Sequence, residues 1–373
     1  MNFFITLTTA CDLQCRYCYG ECCDDFDEAI DIGDIDYYLP RDVAYPTGAL
    51  RTFIAKDPEA TLVFYGGEPL LNIDKMYELM DSLPAKRFML HTNGTLLHKV
   101  RPEYLGRLHT ISISVDGDER LTDYNRGEGV YKKIMGNARL AREGGFKGEM
   151  IARMTVTEDC DIYRQALCLL DNPDFSFDGV HWQLNALFWK NDYGRRQFAR
   201  WACESYDPGI NRLVGEWVRV MREEGKVLRM YPLMSVMRSL LLGEKTLLRC
   251  GAGWAEYNVQ TDGRISPCPV MAGMKEYYAG DIFTGDPLKL KQTLISGPCK
   301  SCDILGVCGG RCLYANITLK WGGEGFAEVC GTIKNLINSL QSVLPEIRGL
   351  VKEGKISMRD FEHAKFNSCE IIP

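Results

Sequence analysis

Ten of the sixteen cysteines in this 373-residue chain fall into two spaced sets. Cys11, Cys15 and Cys18 stand at CxxxCxxC spacing in CDLQCRYC, and Cys250, Cys268, Cys299, Cys302, Cys308, Cys312 and Cys330 occupy the C-terminal third. Three thiolates delivered by one short loop can hold three irons of a [4Fe-4S] cube and leave the fourth iron without a protein ligand. An iron with an open position can bind a small molecule and do redox chemistry on it. In the second set, Cys299, Cys302, Cys308 and Cys312 alone would suit one zinc ion, but that reading leaves Cys250, Cys268 and Cys330 unexplained.

The elements that must position these loops are legible as short runs rich in β-branched and aromatic residues. They lie at 2–9, 61–65, 87–91, 109–115, 150–156 and 180–188, each followed by turn residues and then a helical pattern. Such alternation predicts parallel βαβ units with right-handed crossovers and functional residues on the loops after the strands. Cys11 follows the first run directly. A closed eight-stranded barrel would need about two further repeats, whereas the pattern dissolves into helical stretches after Phe188. The expected fold is therefore α/β: a partial (β/α)6 barrel over 1–190, a helical linker region over 191–245, a cysteine-rich domain over 246–335, and C-terminal helices and a tail over 336–373. The cysteine-rich segment has few large apolar side chains, so metal binding is expected to supply its folding free energy.

Composition excludes several classes. A hydrophobic content of 46% with 25% charged residues is that of a globular chain, and no apolar run is long enough to span a bilayer. The first ten residues lack the basic start and apolar stretch of a signal peptide. Free cysteines in such number then suit metal ligation in a reducing cytoplasm of an anaerobic cell. A net charge of −6, no basic patch with interleaved aromatics, and an acidic stretch over 24–36 argue against nucleic acid as a partner. The acidic stretch reads as a solvated loop.

Together, CxxxCxxC, Tyr17 before the third cysteine, and the GGEP run Gly66, Gly67, Glu68 and Pro69 at the end of the second strand resemble the radical S-adenosylmethionine (SAM) superfamily. The resemblance implies that Cys11, Cys15 and Cys18 hold a cluster whose open iron is chelated by SAM. One electron then cleaves SAM to methionine and a 5′-deoxyadenosyl radical. It also implies that Gly66, Gly67 and Glu68 receive the SAM amino group, that Ser114 reaches its ribose or carboxylate, and that Asn93 and Asp116 line the cavity. A cation for the SAM carboxylate comes from Arg153 or Lys133, and spacing does not choose between them. Arg126 reads equally well as a structural ion-pair residue. Asp116, Cys22 and Cys23 are the candidates for a catalytic role.

The C-terminal set runs Cys250, twelve residues, Gly263, four residues, Cys268; then Cys299, two residues, Cys302, five, Cys308, three, Cys312, seventeen, Cys330. This is similar to the seven-cysteine pattern of the SPASM domain, which implies two auxiliary clusters and three [4Fe-4S] clusters in all. The family's interleaved connectivity would place Cys250, Cys268 and Cys312 on the nearer auxiliary cluster and Cys299, Cys302, Cys308 and Cys330 on the distal one. The nearer cluster then lacks a fourth ligand, with Cys203, Cys369, water or substrate as candidates.

Enzymes of this architecture mostly modify peptides or proteins, so the expected activity is oxidative modification of a peptide residue, such as a crosslink or thioether. The electron donor would be a ferredoxin or flavodoxin, and the enzyme is expected to be a monomer. Anaerobic sulfatase maturation and a small-molecule step such as alternative haem synthesis are alternatives; a non-catalytic iron-sulfur carrier would need neither GGEP nor a barrel. With Cys11 ten residues into the sequence, no winged-helix leader-binding domain is expected ahead of the barrel. Recognition would then use the barrel rim, the 24–36 loop or a separate protein.

Overall fold

The computed structural model describes residues 1–18, 34–188, 192–367 and 369–373. Cys22, Cys23 and most of the acidic stretch therefore lie outside the described residues. Six parallel strands form where the alternating runs predict them: β1 (Asn2–Thr8), β2 (Thr61–Gly66), β3 (Arg87–Thr92), β4 (Leu108–Ser114), β5 (Glu149–Val156) and β6 (Gly179–Leu184). Successive side chains point to opposite faces of a strand, and here both faces are covered. Phe3, Ile5 and Leu7 of β1, Leu62 and Phe64 of β2, Ile111 and Ile113 of β4, and Val180 and Trp182 of β6 pack outward into the main apolar core. Phe4, Val63 and Met89 turn inward as a separate small cluster, with Tyr65 against it.

The sheet does not stop at six strands. Its order is β6-β5-β4-β3-β2-β1-β7-β8-β9, the last three being β7 (Glu256–Val259), β8 (Arg264–Ser266) and β9 (Gly280–Asp281). β7 pairs in parallel with β1, Asn2 opposite Glu256, and β8 and β9 continue antiparallel. The cysteine-rich segment is thus hydrogen-bonded to the barrel edge. It is not held by cysteines alone either: Tyr257, Val259, Ile265, Met271, Leu313 and Tyr314 are buried in the same core as the barrel strands. The sheet curls, bringing Arg153 on β5 within electrostatic reach of Glu256 on β7, at the other side of β4, β3, β2 and β1 in the sheet order.

Helix Gly322–Lys352 packs on both Asp207–Glu224 and Tyr231–Leu242. It begins before Cys330, so that cysteine sits on a helix. Of the C-terminal helices expected over 336–373, the stretch after this one forms one turn only, Met358–Phe361, with a reciprocal Ser357/Asp360 cap. Beyond it the chain turns under the barrel. The Asn2 carboxamide donates to the carbonyls of Lys365 and Phe366, and Asn367, Cys369, Glu370, Ile371 and Ile372 are buried. Cys369 packs against Ile151 and Tyr231, with its sulfur 3.6 Å from the Ser112 hydroxyl.

Candidate metal centres and active site

The loop 11–18 leaves β1 and is fastened on three sides. The Asn93 amide at the end of β3 donates to Asp12 at 2.7 Å, and the Thr95 hydroxyl donates to the other oxygen of the same carboxylate at 2.5 Å. The Arg16 backbone N–H donates to the Asn125 carbonyl, and its guanidinium lies 3.9 Å from the Tyr124 ring. The Tyr17 hydroxyl donates to Asp116 at 2.5 Å. Asp116 is fully buried and also accepts two bonds from Arg126 and one from the Thr155 N–H, each at 3.0 Å. Its lone pairs are committed to holding charge and loop in place, so the expectation of a catalytic Asp116 is corrected: it is an anchor. Arg126 is its ion-pair partner.

The GGEP run serves the same loop. A Cβ on Gly66 would lie 2.2 Å from the Thr8 carbonyl oxygen, and one on Gly67 2.2 Å from that of Ala10. The absence of side chains lets the end of β2 lie flat against the backbone leading into Cys11. The N–H groups of Gly67 and Glu68 donate to those same two carbonyls at 3.0 and 2.7 Å. The Glu68 carboxylate turns inward, accepting from the Leu70 N–H, the Thr92 hydroxyl and the Asn93 N–H. Burial pushes it up to about 7 against the lowering effect of those donors. Its first role is to join the ends of β2 and β3. Pro69 opens the turn Pro69–Asn72 that follows.

Inside the barrel, Ser114 and Arg153 are register partners on β4 and β5. The Arg153 Nε is buried without a partner among the described residues, an orphan donor suited to a carboxylate. Lys133 is exposed on helix Val130–Glu143, outside the sheet. The structure therefore separates the two cations, and only Arg153 stands in the interior. His91 and His181 flank it, held neutral by burial and by the Arg153 charge. Neither histidine was singled out by spacing; their inward positions on β3 and β6 were the available signal.

The seven C-terminal cysteines sort into two groups. Cys250, Cys268 and Cys312 are buried and act electrostatically on one another. Cys299, Cys302, Cys308 and Cys330 line a single cavity together with Leu187, Phe326 and Val329, whose wall Cys312 also reaches, and Cys330 lies within electrostatic reach of the other three of its group. Consecutive left-handed residues Gly309, Gly310 and Arg311 turn the chain between Cys308 and Cys312. All described cysteines are free thiols, and among the described residues no three His, Cys, Asp or Glu side chains converge on a single ion. Thiols spread around a void suit a multi-iron cluster and not one zinc. Arg311 lies between the groups, buried, near Cys312, Cys330 and Cys308, with none of its three guanidinium nitrogens hydrogen-bonded among the described residues. An unpaired buried cation is costly, and anionic clusters on either side would offset it. The donor set thus fits two iron-sulfur clusters.

Neither cysteine considered for the nearer group's fourth position joins it. Cys203 is exposed beside Asp207 and Glu328, and Cys369 lies in the barrel interior.

Residues 5–160 match the model of the Radical SAM superfamily, so the chain carries a radical SAM domain and is a radical SAM enzyme, a class that uses SAM and a [4Fe-4S] cluster. The cysteine-type anaerobic sulfatase-maturating enzyme of Clostridium perfringens is 22% identical over 337 residues, covering 82% of this chain and 86% of that enzyme. The radical SAM cyclopropyl synthase TigE of Paramaledivibacter caminithermalis is 21% identical over 370 residues, covering 90% and 73%. Among solved structures, native anSMEcpe with bound AdoMet and Cp18Cys peptide has a TM-score of 0.67 at 18% identity, covering 93% of this chain and 99% of that one. The fold is shared. Among the described residues no helix is long and apolar enough to cross a membrane.

Proposed function

We propose that this enzyme oxidises a side chain of a peptide or protein substrate, with two auxiliary clusters taking up the surplus electron. The observation that carries this is Arg311, a buried guanidinium without protein partners set between two groups of cysteines. It makes electrostatic sense only with anions in both places, and two clusters in series form an electron path. When bound, SAM and a cluster held by Cys11, Cys15 and Cys18 would supply radical chemistry for hydrogen abstraction, and auxiliary clusters would supply an acceptor for the electron of a net oxidation.

The chain's own residues do the rest. Tyr17, Asp12 and Arg16 fix the cluster loop; Arg153, with Ser114 beside it, would receive the SAM carboxylate; the Gly66 and Gly67 backbone would meet its amino group. Cys250, Cys268 and Cys312 would hold the nearer cluster, and Cys299, Cys302, Cys308 and Cys330 the distal one. A polypeptide substrate is supported by relatives named for sulfatase maturation and by a related fold holding a peptide. Formylglycine formation on a sulfatase is the second reading, favoured by the likeness to the Clostridium perfringens enzyme.

Anaerobic reconstitution followed by iron, sulfide and zinc analysis tests the framework. About twelve irons per chain and negligible zinc are expected; about four irons with one zinc would sink the electron path. Substrate class is then read by transfer of deuterium from labelled peptides into 5′-deoxyadenosine. No transfer from any peptide, with SAM cleavage intact, would overturn the polypeptide assignment. An aldehyde product would select sulfatase maturation over crosslinking.

A further inference from the structure

Glu256 is the first residue of β7, and its side chain is buried at 1% exposure. Its neighbour on the same inward face, Asn258, has its polar atoms matched, to the Thr6 hydroxyl at 2.8 Å and the Ser266 hydroxyl at 3.1 Å. Glu256 Oε2 has no hydrogen-bond partner among the described residues, and no cation lies within ion-pair distance of it there. Burying a carboxylate in that state is unfavourable unless something else meets it. Arg153 and Glu370 are the charged groups that face it across the interior.

The backbone places this carboxylate beside the incomplete cysteine group. Residues 250–256 form a tight turn in which the Gly251 carbonyl accepts from the N–H groups of Ala255 and Glu256, both at 2.8 Å, so Cys250 and Glu256 stand at its two ends. Cys268, from beyond β8, also lies within electrostatic reach of the Glu256 carboxylate. The unpartnered carboxylate thus stands within electrostatic reach of two of the three thiols, Cys250 and Cys268, which in turn reach Cys312. We infer that Glu256 is the fourth protein ligand of the cluster held by Cys250, Cys268 and Cys312, bound to iron through a carboxylate oxygen. Charge and chemistry agree: a hard oxygen donor completes an iron coordination shell, and coordination removes the cost of the orphaned oxygen. An oxygen ligand exchanges more readily than a thiolate, so this iron is closed at rest yet open to displacement.

This inference rests on the cluster reading above, and its test separates the two. The full chain carrying Cys11→Ala, Cys15→Ala and Cys18→Ala is reconstituted anaerobically, so that only the auxiliary sites remain. About eight irons per chain are expected; none, or zinc in their place, would overturn cluster binding itself and this ligand with it. With about eight irons present, the reduced protein is titrated with free cysteine and followed by electron paramagnetic resonance. The parent signals should stay unchanged at thiol concentrations that shift those of the Glu256→Gln variant. Mild oxidation should strip one iron from the Gln variant several-fold faster, giving a [3Fe-4S] signal. Glu256→Cys supplies a thiolate and should restore resistance to both treatments, which a purely structural role would not produce. A Gln variant that matches the parent in thiol response and iron loss, or a parent that responds at the same thiol concentrations as the Gln variant, would overturn the assignment.

Discussion

Tyr17 and Asp116 lie ninety-nine residues apart in sequence and are joined by a hydrogen bond of 2.5 Å, which fastens the cysteine loop after β1 to the chain leaving β4. The bond ends on a carboxylate already held by Arg126, so loop, strand end and helix move as one body.

Removing the phenol tests that coupling. Tyr17→Phe should cost about 1.5–3 kcal/mol, the usual worth of a hydrogen bond to a charged group. Asp116→Asn should cost more, about 3–5 kcal/mol, because it strands the buried Arg126 charge. Chemical denaturation of the two variants side by side would show this ranking, and equal losses would contradict it.

Gly67→Ala puts a Cβ 2.2 Å from the Ala10 carbonyl oxygen, and backbone cannot yield as a flexible side chain can. A loss of more than about 4 kcal/mol is expected, with iron at the first cluster failing to assemble. Gly48→Ala is the control: nothing lies within 4 Å of its Cβ, and alanine there should raise stability by about 0.5–1 kcal/mol. Iron content and thermal midpoint read both.

Glu68 gives a pH signature. Its folded value, about 7, lies above the ordinary 4.5, so the folded state holds its proton over that window while the unfolded chain has released it. Stability from this group is complete below about pH 4.5, falls as pH rises towards 7, and is constant beyond. Relative to Glu68→Gln, the wild-type chain should lose about 3 kcal/mol between those limits. Parallel pH profiles for the two proteins would refute the assignment.

Arg311→Met should act with opposite sign in the presence and absence of clusters. Without clusters, removing a buried unpaired charge should stabilise the chain by about 1–4 kcal/mol. With clusters, loss of the neighbouring cation should lower their reduction potentials and weaken iron retention. Potentiometry on loaded protein and denaturation of the metal-free chain would reveal the inversion, and a uniform effect would remove the basis for anions at both sites.

What could be read in advance follows from how local each signal is. The alternation of Phe3, Ile5 and Leu7 with Phe4 and Thr6 marks β1 by itself, and the cysteine spacings carry their meaning within a few residues. β8 and β9 are three and two residues long and exist because β7 found β1, a pairing across the whole chain that no local pattern announces. The same holds for Glu256, which is one acidic residue among fifty until the turn 250–256 and the edge of β1 set it beside Cys250 and Cys268. Asp116 was misread because a carboxylate at a strand end looks alike whether it faces a substrate or an arginine. The final apolar pair, Ile371 and Ile372, did carry a burial signal, in a segment otherwise resembling a loose end.

That segment has a consequence in time. Asn367, Cys369, Glu370, Ile371 and Ile372 are buried beneath a barrel whose sixth strand ends at Leu184, so a ribosome releases the six strands long before it releases their plug. A nascent barrel is open at its base while the first cysteine loop, with Cys11, Cys15 and Cys18, is already outside the exit tunnel. Iron-sulfur assembly factors would meet a half-finished vessel, and sealing would come last.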